Sequence, residues 1–315
     1  MYCKLVTNTT ATSANFQINL LADLVALLTG EVTINNLSSS CDKVTSTITV
    51  DNIAGWTLHD AAAGTNAKCL KAPLADDPTT FKYVVVDTNT VGYVYLKVYE
   101  TWDATAHTGT NNCTNSTSNN YCQQCSYSLG GTMHIFATAR FILMNSQIGS
   151  TWGSASNGGG SGCFERTRNC TWDTVAAGYP PYLFANLGYW ANSSSQSAAM
   201  PRKLLRTGVV NNGVGAMVSA FVVPFGEITT MFSWLSGADQ KVQNALGVGQ
   251  IPLLPIMIVD APSMPIHYGE ISSLCDVWAL PQGVAANMDT IVVNSVNYLV
   301  LQANGTTKLF AVRKG

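Results

Sequence analysis

The stretch from Lys82 to Glu100 leaves this chain little choice of local structure. Lys82–Asp87 reads KYVVVD, a short DTNT link follows, and Val91–Glu100 reads VGYVYLKVYE. In the second segment Val94, Leu96 and Val98 alternate with Tyr93, Tyr95, Lys97 and Tyr99. A period of two sends alternate side chains to opposite faces of a strand. The pattern therefore predicts a hairpin with one aliphatic face and one tyrosine-rich face. Lys43–Val50 (KVTSTITV) repeats the period, with Val44, Ile48 and Val50 on one side, and Thr132–Leu143 reads as another long strand. Towards the C-terminal end, Thr290–Val293, Val296–Gln302 and Thr307–Val312 are separated by Asn294-Ser295 and Asn304-Gly305. Such dipeptides tolerate the left-handed backbone of tight hairpins, so a β-meander is expected there.

One segment breaks the period. Between Asn15 and Thr29, Leu20, Leu21, Leu24, Leu27 and Leu28 fall on a single face at helical spacing. Ser13 is a candidate N-cap and Gly30 a candidate residue just past the C-terminal end. Asp23 is expected on the opposite, solvated side. The fold expected is mainly β, sandwich- or barrel-like, with one N-terminal amphipathic helix at about 15–29 and a C-terminal meander.

Thr105–Gly131 and Gly149–Gly162 read as loops, the second ending in NGGGSG. No GK[ST] follows that glycine run, so it is a connector and not a phosphate loop. It marks a soft division into 1–150, a helix plus β unit, and 151–315, a loop-rich β region ending in the meander. Ile251–Val259 carries Pro252 and Pro255 and reads as an edge strand or a buried extended segment.

Composition narrows the function. Hydrophobic residues make up 47% of the chain and charged residues 11%, so a packed globule with a neutral polar surface is expected. With a net charge of −2 and no basic block, nucleic-acid binding through phosphates is not expected. No segment reads as a signal peptide or a membrane span. A surface poor in ions suits large subunit contacts, where buried unpaired charge is costly.

Catalytic patterns are missing. HExxH and GxSxG do not occur, and His59, His107, His134 and His267 are the only histidines. His134 falls in a strand pattern and reads as a hydrogen-bonded, half-buried residue. His59-Asp60 precedes AAAG and reads as part of a turn. Glu100 and Asp103 flank Trp102, as acids beside an aromatic do at sugar-cleaving sites, yet strand ends and turns carry such acids too. Asp276 is an isolated acid. No catalytic residue, cofactor or metal is expected.

Nine cysteines leave three readings open: disulfides formed outside the cell, a zinc site, or buried thiols. Cys122 and Cys125 have CxxC spacing, but no second CxxC or His-x-His follows, which weakens the zinc reading; the loops around Cys113, Cys122 and Cys125 and around Cys163 and Cys170 are the disulfide candidates. Tyr179, Tyr182, Phe184, Tyr189 and Trp190 concentrate aromatic surface in one segment and are the interface candidates.

Three segments then carry a resemblance. VYETWDATAHTGTN (Val98–Asn111), GEISSLCDVWALPQGVAANMDTI (Gly269–Ile291) and KLFAVRKG (Lys308–Gly315) are similar to tailed-bacteriophage virion structural proteins. The resemblance implies a non-enzymatic component of the particle and supplies no active-site residues. The expected role is tail-associated, as baseplate, tail tip, collar or fibre adaptor. Its partners would be other copies of the chain and neighbouring phage proteins. A capsid-stabilising role and recognition of a host surface glycan are the alternatives.

Overall fold

The computed structural model describes residues 2–7, 14–30, 44–49, 55–73, 81–99, 101–110, 123–126, 132–138, 141–148, 151–152, 160–163, 220–223, 253–255, 257–260, 266–270, 277–280, 285–302 and 309–314. In chain order, β1 (Tyr2–Thr7) leads into helix α1 (Ala14–Thr29), then β2 (Val44–Thr49), β3 (Thr57–Gly64), β4 (Ala67–Pro73), β5 (Phe81–Asp87) and β6 (Tyr93–Tyr99). Next come β7 (Thr101–Asp103), β8 (Thr108–Thr110), β9 (Gln123–Ser126), β10 (Thr132–Ala137), β11 (Phe141–Ile148), β12 (Thr151–Trp152) and β13 (Gly160–Cys163). The remainder supplies β14 (Ala220–Val223), β15 (Leu254–Pro255), β16 (Met257–Asp260), β17 (Ile266–Glu270), β18 (Val277–Leu280), β19 (Thr290–Val293), β20 (Val296–Gln302) and β21 (Leu309–Arg313).

The fold is mainly β with a helix near its start, and its strand pairs are antiparallel. A first sheet runs β12-β11-β10-β1-β2, with β13 also paired to β11, and a second runs β3-β4-β5-β6-β9. The meander region forms a sheet in the order β15-β18-β21-β20-β19, and β14-β16-β17 form a smaller one. None of these sheets closes into a barrel, so that part of the expectation gives way to open sheets.

Helix and sheets share one core. Phe16, Leu20, Leu24 and Leu27 of α1 pack with Leu70, Val84, Val86, Val94, Leu96 and Val98 of the second sheet. Met133, Ile135, Ile142 and Met144 of the first sheet join the same cluster. Removing each such side chain from water contributes about 1.5–3 kcal/mol. The β6 strand alternates as its sequence demands: Val94, Leu96 and Val98 are buried, and Tyr93, Tyr95, Lys97 and Tyr99 are half-exposed.

Gly30 ends the helix in the left-handed region (φ 96°) and its N–H returns to the Leu27 carbonyl, as its position predicts. Asn294 and Ser295 both take positive φ (51° and 66°), the two left-handed residues of a type I′ hairpin turn. The meander strands β19, β20 and β21 lie where their pattern places them, while Asn304-Gly305 lies outside the described residues.

Several expectations change. Thr132–Leu143 is not one strand but parts of β10 and β11, which pair antiparallel. The segments read as loops hold β8, β9, β12 and β13, short strands whose few residues carry no clear period. His59-Asp60 sits inside β3 and not in a turn; the strand runs on to Gly64 with two register shifts. Asp23 is only 3% exposed. The helix touches β2 of the first sheet and β3, β4 and β5 of the second, so it is enclosed on more sides than a surface helix. Gln17 is buried for the same reason and is satisfied: its Nε2 donates to the Thr88 and Asn89 carbonyls at 2.7 and 2.9 Å, and Thr88 Oγ1 donates to the Gln17 carbonyl at 2.9 Å.

Candidate functional site

The outer face of the second sheet collects aromatic side chains because consecutive strands place them in register. Lys71, Tyr83 and Tyr99 lie side by side on β4, β5 and β6, and Asp87 lies beside Tyr95. Tyr83 and His59 have ring centroids 4.9 Å apart, and Tyr93 and Tyr95 stack at 5.8 Å. Lys71 Nζ stands 5.5 Å from the Phe81 ring and 5.9 Å from the Tyr83 ring. Between the two ring groups Lys97 donates to Asp87 at 2.6 Å.

At one end of this face the β7–β8 hairpin folds back over β3. A two-stranded ribbon is marginal by itself, and this one is tied down by a single carboxylate. Asp60 Oδ2 accepts from Trp102 Nε1 and His107 Nδ1, both at 2.8 Å, while Oδ1 accepts from the Ala62 N–H at 2.8 Å. Burial pushes the Asp60 carboxyl up, but the bonds from His107, Trp102 and Ala62 outweigh it and hold it below the usual carboxylate range. Asp60 is therefore ionised at neutral pH. An ionised carboxylate only accepts, so His107 carries a proton on Nδ1 and turns its Nε2 edge away from Asp60.

The tip of the hairpin is equally constrained. Asp103 Oδ1 accepts from the Thr105 and Ala106 N–H groups at 2.8 and 3.0 Å, and these two bonds lower its carboxyl. His107 itself adopts φ 55°. Gly109 lies directly under the Tyr99 and Trp102 rings, which meet edge to face at 5.1 Å. A Cβ there would fall 2.5 Å from Tyr99 Cγ and 2.8 Å from Trp102 Cε3. Gly109→Ala should therefore displace both rings and cost about 1–3 kcal/mol, a typical overpacking cost. Urea unfolding followed by tryptophan fluorescence checks it, and an unchanged midpoint would contradict the close packing.

Beneath the rings Cys69 is a buried free thiol. Burial, and then the negative charge of Asp60, push its pKa far up against the weaker pull of Lys71, which holds it as the thiol. No hydroxyl or thiol among the described residues is hydrogen-bonded to His107, and no His/Cys/Asp/Glu group there has the make-up of a metal site. What the arrangement does is rigidify: it fixes Trp102, Tyr99 and His107 in one geometry.

A second feature lies on the other side of β3. An open groove of about 830 Å³ runs between α1 and the start of β3, its apolar wall formed by Ile18, Ala22, Val25 and Ala26 of the helix with Trp56 and Leu58, and its polar rim by Thr57, Thr65, Asn66 and Lys68. Ile18 is 53% and Leu58 47% exposed. Further along, the β3 edge is blunted by its bulges, by Lys68 Nζ on the Ala61 carbonyl and by Asp60 on the Ala62 N–H.

Of the residues singled out in sequence, Trp102 and Asp103 are found in this region, but Trp102 pairs with Asp60, 42 residues away, and Asp103 caps a turn. Glu100 lies outside the described residues. His134 is in β10 as expected but entirely buried, 2.8 Å from the Tyr2 hydroxyl. Cys125 lies in β9, buried in the main core, and no disulfide joins described residues. Cys163 ends β13 with its side chain undescribed, while Cys113, Cys122 and Cys170 lie outside the described residues. So do Tyr179, Tyr182, Phe184, Tyr189 and Trp190. The Asp60–His107 partnership spans 47 residues, and no local pattern announces it. Comparison with models of known protein families gives no match, and neither does a search of the curated proteins.

Proposed function

We propose that this chain is a non-enzymatic structural subunit of a tailed-phage virion, tail-associated, that works through contacts with its own copies and with neighbouring virion proteins. The observation that supports it best is the outer stripe of α1. Ile18, Ala22, Val25 and Ala26 carry no charge, and the helix's sole ionisable residue, Asp23, is buried. A helix that shows apolar side chains on its outer side as well as its inner one is built to be covered. The groove beside it, flanked by Ile18 and Leu58, gives a neighbour somewhere to insert apolar side chains. The rigid β7–β8 hairpin and the neutral surface fit the same role, since a contact repeated through symmetry gains strength from many small, uncharged patches.

The test is to purify intact particles and locate the chain by peptide mass spectrometry and a density map. Multiple copies at the tail are expected. Intact particles without the polypeptide would remove the proposal, and copies confined to the head would replace its tail placement.

A further inference from the structure

We propose that the outer face of the second sheet, from Tyr93 and Tyr95 to Tyr83, Tyr99 and Trp102, binds an uncharged oligosaccharide. This inference does not need the tail placement above; it rests on the chemistry of the face alone.

Three observations carry it. First, the face is aromatic and not aliphatic. Tyr83, Tyr93, Tyr95, Tyr99 and Trp102 are all half-exposed, whereas of the large apolar residues that stand well exposed among those described, Ile18 is on α1, Leu58 pairs with the inward Leu70, Met288 and Val292 are in the meander region, and Val91 alone borders this face, in the turn before β6. A protein contact draws on both kinds of side chain. Sugar rings stack their C–H faces on aromatic rings and leave their hydroxyls for polar neighbours, here the exposed His107 ring.

Second, the charges cancel. Lys97 is paired with Asp87, Lys71 is engaged over the Phe81 and Tyr83 rings, and Asp60 is covered by Trp102 and His107. Two lysines stand against two aspartates on the sheet and a third, Asp103, on the hairpin, so the face offers no net attraction to a phosphorylated or sulfated chain, which would otherwise compete for the same rings.

Third, the rings are held before any ligand arrives. Asp60 fixes Trp102 and His107, and the close approach of Gly109 fixes Tyr99 against Trp102. Immobilised rings lose little entropy on binding. Tyr95 and Tyr99 stand four residues apart on β6, about 13 Å at roughly 3.3 Å per residue. That span suits several linked sugars and not one.

The experiment uses the purified full chain on a printed array of neutral and anionic bacterial surface oligosaccharides. Hits are confirmed by native electrophoresis through gels cast with the soluble polysaccharide. The expected result is binding to neutral oligosaccharides, weakened about tenfold by Tyr95→Ala and by Tyr83→Ala. Neither side chain is hydrogen-bonded to Asp60, whose partners are Trp102, His107 and the Ala62 N–H, and an unchanged circular dichroism spectrum verifies the fold of both variants. Val292→Ser, in a different sheet, should bind as the parent chain does. The proposal is overturned if no neutral oligosaccharide binds, if only anionic ones do, or if both tyrosine variants bind normally. It is equally overturned if Tyr95→Ala turns an oligomer into a monomer, which would make the face a contact between copies. A negative array leaves the particle experiment untouched, so the two proposals fail separately.

Discussion

Trp56→Ala should lower the unfolding free energy of the chain by about 4 kcal/mol, within the range for emptying a large aromatic site in a core. Trp56 is 1% exposed and belongs to the cluster shared by α1 and both sheets. Its indole Nε1 donates to the Thr138 carbonyl at 3.1 Å, beside the β10 end of the first sheet. Its backbone N–H donates to the Leu28 carbonyl at 2.9 Å, meeting one of the acceptors that every helix leaves open at its C-terminal end. Alanine keeps the second bond and loses the first, together with the ring. Trp56→Phe separates the parts: it retains most of the buried area and should cost only about 1–2 kcal/mol, the desolvated Thr138 carbonyl included. Urea midpoints of the three proteins measure the difference. Equal midpoints for the alanine variant and the parent would mean that helix and first sheet do not depend on this residue.

Asp23→Asn should act in the other direction and only above acid pH. Asp23 accepts no hydrogen bond among the described residues, and burial raises its carboxyl from the ordinary 3.8 to about 7. The sign follows from linkage. Because the folded value lies above the unfolded one, the stability of the neutral carboxyl is fully present below about pH 4. It is lost progressively as pH rises towards 7, after which the cost stays constant. A shift of this size sets a ceiling of about 4 kcal/mol. Partial screening by water reduces it, so about 2 kcal/mol is the expected gain for the asparagine variant at pH 8. At pH 4 the two proteins should unfold alike. Urea titrations at pH 4, 6 and 8 check this, and a gain independent of pH would show that ionisation of Asp23 is not what strains the helix.

The two residues also mark how far the sequence could be read. The β5–β6 hairpin, the register of its valines and tyrosines, the span of α1, the Gly30 stop and the Asn294-Ser295 turn are all local. Each depends on residues within a few positions of one another, so period and turn chemistry were enough. Even the tyrosine-rich face, which now carries the oligosaccharide proposal, was visible as an alternation along one strand. Asp23 departs from the solvated side because helical spacing tells which residues share a face, not how many sheets enclose the helix. The strands β8, β9, β12 and β13 were missed because a strand of two to four residues has no measurable period.

Local periodicity, then, determined the kind of element at each strongly patterned stretch, and the neutral composition limited the partners its surface could attract. Tertiary structure alone decided which strands became neighbours, which carboxylates were enclosed, and that Asp60 would meet Trp102 and His107 from more than 40 residues away. The physical reason is range. Backbone sterics and side-chain alternation act over a few residues, whereas burial and hydrogen bonding act through space and depend on the sheet order, which no single segment encodes.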